Sequence, residues 1–214
     1  MSEFAREAER SRLTKVALRN RLLTARRSLP EAVRQSADAS VRASTVAWVR
    51  AARPTVCAAY VPVGTEPGGA SLPAVLSAEC TVLLPVLLPD GDLDWARYEG
   101  TTRRSQRGLL EPSGDRLGTP AITQAAVIFV PALAVSRRSG MRLGRGGGSY
   151  DRALARITPS PTPPPRAPNS AAPAPLVVAL LHDGELLDDV PHERHDRPVD
   201  AVITPAEGLI RLPA

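Results

Sequence analysis

The sequence predicts an α/β fold built on a mainly parallel sheet, and three observations carry that expectation. Short runs rich in Val, Ile and Leu alternate along the chain with segments of helical periodicity, the pattern of strand–helix–strand units. The length, 214 residues, suits one such domain. Hydrophobic residues make up 43 % of the chain but aromatics only 3 %, so Ala, Val, Leu and Ile must build the core.

From about Ala8 to Leu29 the chain reads as a helix, with Leu18, Leu22, Ala25 and Leu29 recurring on one apolar face. Lys15 and Arg19 are four apart, so they share a neighbouring face and can converge on one anion. Pro30 is placed to open a second helix, whose buried stripe is predicted to be Val33, Ala37, Val41, Ser44 and Trp48. Thr55 to Val61 (TVCAAYV) has the length and composition of a buried strand. A short helix from Leu72 to Ala78 precedes a second strand, Thr81 to Leu88, interrupted by Pro85. Asp90-Gly91 marks a turn into a strand through Leu93 to Tyr98. Ala125 to Val135 is the most apolar strand candidate. A helix is expected from about Ser149 to Ile157. Residues Thr158 to Pro175 form a low-complexity Pro/Ala/Ser insert that cannot pack and reads as an extended or disordered loop. Strands are expected again at Leu176 to Leu181 and, last in the chain, at Asp200 to Pro205. No internal repeats are present.

Several function classes are excluded or disfavoured. No apolar run approaches the roughly 20 residues of a membrane span, and Met1 to Arg12 is charged, without the apolar stretch of a signal peptide. Cys57 and Cys80 lie in or beside apolar runs and are expected as reduced thiols, consistent with a cytoplasmic protein. The net charge of +5 favours an anionic partner. Basic residues are nevertheless scattered, with hardly any aromatics among them to stack on bases, so a polyanionic small molecule is preferred to nucleic acid. Of 27 Lys and Arg residues only Lys15 is lysine, a bias that by itself reflects composition.

The most informative segment is SGMRLGRGGGSYDRAL, Ser139 to Leu154, between a strong strand and a helix. That is where α/β proteins place ligand loops. Gly144, Gly146, Gly147 and Gly148 permit close backbone approach, and backbone N–H groups feeding a helix make an anion cradle. The glycines alone suit a flexible turn equally well; Arg142 and Arg145, forked donors within the loop, favour phosphate. Asp151 falls in the first helical turn, where it can hold Mg²⁺ beside phosphates or merely complement the helix dipole. The spacing is neither G-x-x-x-x-G-K-[ST] nor G-x-G-x-x-G.

RLGRGGGSYDR closely resembles the signature loop of the 5-formyltetrahydrofolate cyclo-ligase family, whose usual form is RLGRGKGYYDR. Other segments agree, in the family's order. Lys15 to Arg19 resembles its K-x-x-L-R motif, and Tyr60 to Glu66 its strand and acidic turn. Gly108 to Pro112 is similar to its G-x-x-E-P element, and Val130 to Ala134 to its V-P-G-L-A strand end. Val190 to Asp196 resembles its V-P-x-E-x-H-D segment. Each match is weak alone; together they span most of the chain outside the insert. Three departures stand out: Gly147 replaces the loop Lys, Ser149 the first loop Tyr, and Glu185 a Gln that usually precedes V-P-x-E.

The resemblance implies a three-layer α/β domain of cyclo-ligase (NagB/RpiA-like) type, a monomer binding ATP, Mg²⁺ and 5-formyltetrahydrofolate. It implies that Lys15 and Arg19 contact the phosphates, and that Arg142, Gly144, Arg145, Gly146, Gly147, Gly148, Ser149 and Tyr150 cradle the nucleotide. Lys15, Arg19 and Arg145 would be catalytic. Glu66, with Glu111 and Tyr150, would bind the folate; a carboxylate suits the paired N–H groups of a pterin. Asp151 and Asp196 would hold Mg²⁺. Two rivals predict otherwise: a non-catalytic folate- or nucleotide-binding relative, and an RNA-binding module with steep salt dependence.

Overall fold

The computed structural model describes residues 3–157, 174–193 and 195–213. The Pro-rich insert expected at 158–175 lies outside the described residues except for its last two. In chain order, α1 (Glu3–Ser28) and α2 (Glu31–Ala52) are followed by β1 (Val56–Ala58), α3 (Leu72–Ser77), β2 (Thr81–Leu87) and β3 (Leu93–Arg97). A small antiparallel pair, β4 (Thr102–Arg104) and β5 (Leu110–Pro112), precedes a 3₁₀ helix at Thr119–Gln124. Then come β6 (Val127–Pro131), β7 (Ala134–Ser136), β8 (Arg142–Leu143), α4 (Ser149–Ala155) and β9 (Leu176–Leu180). The chain closes with β10 (Leu186–Leu187), β11 (Ala201–Thr204) and β12 (Gly208–Arg211).

The main sheet has seven strands in the order β12-β11-β9-β6-β1-β2-β3. Its five inner strands are parallel; β3 and β12 close the edges antiparallel. Because side chains alternate across a strand, each apolar run supplies both faces. Val127 and Phe129 of β6 point to the layer of α2 and α3, with Val41, Val49, Leu72 and Leu76. Ile128 and Val130 point to the opposite layer, where the 3₁₀ helix and α4 bring Ile122, Ala153 and Leu154. The architecture is therefore helix, sheet, helix, as expected. Strands buried on both faces read as continuous apolar runs.

Pro30 caps α2 from extended backbone, φ −55° and ψ 144°, where its missing N–H costs nothing. α2 then lies on the sheet only from Val41 onward, through Val41, Thr45 and Val49. The predicted stripe is rotated: Val33 is 51 % exposed, and Thr45 takes a buried place because its hydroxyl bonds Val41 O at 2.7 Å. In α1 Leu22 is buried and Leu18 packs beside it, as predicted, while Ala25 faces solvent and Lys15 and Arg26 are buried as well. Burying two cations is tolerable only because each is paired.

β1 is shorter than predicted, ending at Ala58, while β2 runs on to Leu87. Pro85 sits in that overhang, hydrogen-bonded neighbours lying only on the β3 side, which explains a proline inside a strand. The space that β1 vacates becomes the wall of a cleft. The apolar run from Ala125 divides into β6 and β7, the latter joining β8 and β10 in a separate three-stranded sheet. β12, the final strand, was not apparent in the sequence; its exposed Arg211 and half-buried partners give no clear pattern. No helix among the described residues is long and apolar enough to cross a membrane.

Candidate functional site

β1 and β6 are neighbours in the sheet, and the chain leaves them in opposite lateral directions. Just beyond the carboxyl ends of such strands a crevice opens in α/β sheets. Here it is a cleft of about 640 Å³, bordered by Tyr60 and Val61 after β1 and by Pro131 to Leu133 at the end of β6. Two kinds of wall enclose it. One is apolar, from Pro85 and Leu87 on β2, Leu93 on β3, and Leu109 and Leu110 at the start of β5. The other is charged, from α1, the glycine loop and the segment 193–196.

The charged wall is knitted by specific pairs. Lys15 reaches from α1 to Asp196 Oδ2 at 2.7 Å and to Glu193 Oε1 at 3.2 Å, joining segments 181 residues apart. Asp196 Oδ2 also accepts the Glu193 N–H at 2.7 Å. Burial pushes the Asp196 carboxyl up, but the hydrogen bonds from Lys15 and Glu193 outweigh it and hold the group below the usual carboxylate range. Arg19 donates from Nε to Gly144 O at 2.9 Å, fixing the glycine loop against α1. Arg142, 6 % exposed, donates to Asp151 Oδ1 at 2.8 Å, and Asp151 Oδ1 also receives the Arg197 N–H at 3.2 Å. The carboxylates of Asp151 and Asp196 are thus each held by a cation and a backbone N–H, and both border the cleft.

The glycine loop runs from Gly144 to Gly148, where Gly148 begins α4 with φ 68°. At only seven residues, α4 has little macrodipole to offer. The cations around the loop are Arg19, Arg142, Arg145 and Lys15, the last three each paired with a carboxylate. Arg145 crosses the cleft mouth, its Nε 3.1 Å from Glu66 Oε1. Glu66 is 9 % exposed and accepts the Val63 N–H at 2.8 Å, which fixes the acidic turn.

Tyr150 lies between the two walls. Its hydroxyl is buried without a partner, and Arg142 stacks over the ring with Cζ 5.8 Å from the centroid. Burial and then the charge of Glu66 push the phenol well up, against the opposing pull of Arg142. It is a neutral donor at any physiological pH. Arg142 Nε is likewise buried without a partner. Two unpaired donors beside a cleft fit a polar acceptor on a ligand.

Every residue singled out in the sequence borders this cleft: Lys15, Arg19, Glu66, Glu111, Arg142, the loop Gly144 to Ser149, Tyr150, Asp151 and Asp196. Arg12, Val16, Tyr60, Glu193, His195 and the leucines of the apolar wall were not singled out. Arg12 and Val16 share the face of Lys15 and Arg19 at helical spacing, a usable signal. The leucines had none, since their apolar strands are brought here by sheet order alone.

Among the described residues no group of three or more His, Cys, Asp and Glu side chains could by itself hold a metal. Mg²⁺ needs less: it is commonly bound by one or two carboxylates together with substrate phosphates and water. Asp151 and Asp196, each with one oxygen engaged by a cation and both bordering the cleft, fit that mode.

The profile of the 5-formyltetrahydrofolate cyclo-ligase family matches residues 11–205. The chain is 42 % identical over 206 residues to the 5-formyltetrahydrofolate cyclo-ligase of Mycolicibacterium smegmatis, covering 93 % of this chain and 97 % of that protein. It is 32 % identical over 130 residues to the Escherichia coli protein of that name, covering 59 % of this chain and 64 % of that one. The fold is similar to the Aquifex aeolicus 5,10-methenyltetrahydrofolate synthetase structure, with TM-score 0.69 and 23 % identity over 94 % of this chain and 93 % of that one. A Mycoplasma pneumoniae 5,10-methenyltetrahydrofolate synthetase gives TM-score 0.64 and 17 % identity over 88 % of this chain and 96 % of that chain. The matched segments include all those that build the cleft, from Lys15 to Asp196, and the chain belongs to the 5-formyltetrahydrofolate cyclo-ligase family.

Proposed function

We propose that the chain converts 5-formyltetrahydrofolate and ATP to 5,10-methenyltetrahydrofolate, ADP and phosphate. The observation that carries this reading is the meeting of three distant segments at one charged wall facing one apolar wall. Lys15 and Arg19, the Gly144–Asp151 loop and Asp196 form the first wall. In the reaction the formyl oxygen takes the γ-phosphoryl group, and N10 then displaces phosphate from the activated carbon. Both steps need alignment and charge neutralisation more than covalent help.

Lys15, Arg19 and Arg145 hold the phosphate oxygens, with Arg142 and the backbone from Gly144 to Ser149 shaping the cradle. Tyr150 closes the cradle against the folate side. Asp151 and Asp196 would hold Mg²⁺ together with ATP, and the ion would supply charge neutralisation for the phosphates. Lys15 holds Asp196 ionised and oriented for that task, and Arg142 orients Asp151. Glu66 accepts N–H groups of the pterin, releasing Arg145 toward the phosphates as the substrate enters. Glu111 lies beside the apolar wall that receives the ring system and shapes the same pocket. We also place the enzyme in the cytoplasm as a monomer, with no nucleic-acid partner.

The test is turnover of purified protein with 5-formyltetrahydrofolate and Mg-ATP, followed through the near-ultraviolet absorbance of the methenyl product. Product that requires ATP and falls at least about a hundredfold in Asp151→Ala is expected. Folded protein that binds ATP or folate without turnover would overturn the assignment in favour of a binding protein.

A further inference from the structure

We propose that the buried Arg26–Glu185 ion pair is a positioning device that sets the rotation of α1, and with it the aim of Lys15 and Arg19. The proposal rests on the assignment of those two residues to the ATP phosphates. Arg26 is 1 % exposed and Glu185 5 %. The contact is a two-point fork: Nε to Oε1 at 2.6 Å and Nη2 to Oε2 at 2.7 Å, with Nη2 also on Ala132 O at 2.6 Å. Neither side chain borders the cleft.

Glu185 is held independently of Arg26. Its Oε2 accepts the His182 N–H at 2.7 Å, and its backbone N–H and carbonyl bond His182 O and Val135 N. His182 is itself buried, its Nε2 donating to Thr65 O at 3.0 Å, next to Glu66. The pair thus fastens α1 to a fixed frame that carries the cleft's acidic turn and the end of β6.

Lys15, Arg19, Leu22 and Arg26 form one stripe along α1, at helical spacings of four, three and four. Lys15 lies eleven residues before Arg26, roughly 16 Å along the axis. The apolar packing of Leu22, with Leu18 and Leu23, against Leu133, Leu143 and Val190 is non-directional and tolerates small rolls of the helix. A planar guanidinium forked onto a carboxylate does not. A roll of roughly 30° would carry a side-chain tip about 3 Å sideways, enough to part Lys15 from Asp196 and Arg19 from Gly144 O. Stability alone is a weak reason for such a pair, because buried ion pairs are often replaced by apolar groups without loss. The pair also accounts for Glu185 standing where the family usually has Gln: the added charge has a matched cation in Arg26.

The test is the double variant Arg26→Met/Glu185→Gln, which removes both charges and lets Gln accept the His182 N–H. Steady-state kinetics should show KM for ATP raised about tenfold, KM for 5-formyltetrahydrofolate changed less than twofold, and thermal unfolding within a few degrees of the parent. In a Lys15→Ala/Arg19→Ala background, the same double change should shift the affinity of a non-hydrolysable ATP analogue less than twofold, because it acts through those residues. Unchanged ATP kinetics, equal loss toward both substrates, or a full additional loss in the Ala background would each overturn the proposal. If Lys15→Ala/Arg19→Ala alone leaves analogue affinity unaltered, the phosphate assignment fails and the proposal falls with it.

Discussion

At Gly146 φ is +101°, and a Cβ there would meet the Arg19 guanidinium, with Cζ at 3.5 Å. Its neighbour Gly147 has ordinary backbone, and a Cβ would find only Ser149 Oγ at 3.8 Å. Gly146→Ala should therefore cost about 1–3 kcal/mol in local strain and raise KM for ATP severalfold. Gly147→Lys, restoring the charge common in the family, should leave thermal stability within a degree or two. It should lower KM for ATP by roughly threefold to tenfold, about 1 kcal/mol of Coulomb attraction near the surface. A loss of ATP affinity in Gly147→Lys would show that Arg145 already occupies that place. The cysteines illustrate the same residue-level contrast. Their sulfurs lie 3.4 Å apart and both are free. The hydrogen bond with Cys80, and then burial, push the Cys57 thiol far up, while the same bond holds half-buried Cys80 below its ordinary value. Iodoacetamide at mildly alkaline pH should label Cys80 in the folded protein and Cys57 only after unfolding, as peptide mass spectrometry would show.

Among the elements, α4 is too short to hold the glycine loop by itself and is clipped to the turn between β2 and β3. Arg152 Nη2 bridges Gly91 O and Gly147 O, and Arg156 forks onto Asp92. Burial pushes the Asp92 carboxyl up, but the Arg156 hydrogen bond and the Leu93 N–H bring it below its ordinary value. A depressed carboxylate contributes stability that is complete above the unfolded value, about 3.9, and is lost as pH falls through the folded one. The Tm difference between the parent and Asp92→Asn should thus be constant at neutral pH and shrink below about pH 4. With a partly exposed pair the full difference should be at most about 1 kcal/mol. A difference that persists undiminished at pH 2 would rule out the ionised clip. The elements also show what periodicity could and could not reveal. Helix α2 was legible as a helix, but its buried face was displaced because Thr45 satisfies its own hydroxyl within the helix. In α1 the stripe of leucines packs as expected through Leu18 and Leu22, but the same side also takes Lys15 and Arg26, which find anionic partners there. Those partners lie more than 150 residues away, beyond the reach of a local pattern.

On the scale of the whole molecule, the five parallel strands and their two covering layers are joined by contacts among the described residues. Replacing residues 158–173 by a Gly-Ser linker of equal length should therefore leave kcat/KM for both substrates within about twofold, since closure entropy depends mainly on the length of a connection. A larger loss would assign the native segment a part in the cleft. The chain's own order of residues determined the α/β class, the positions of most strands and helices, and much of the charged wall of the cleft, though not its apolar wall. Apolar runs, helical spacing and a glycine–arginine loop are local signals, and the family motifs add to them residue by residue. Only the tertiary structure decided which strands adjoin, where β1 stops short of β2, and which carboxylate meets which cation. The physical reason is that pairing of Lys15 with Asp196 and of Arg26 with Glu185 depends on the sheet order and on how α1 is rolled against it. Both are settled by burial of the whole core, not by any segment of it.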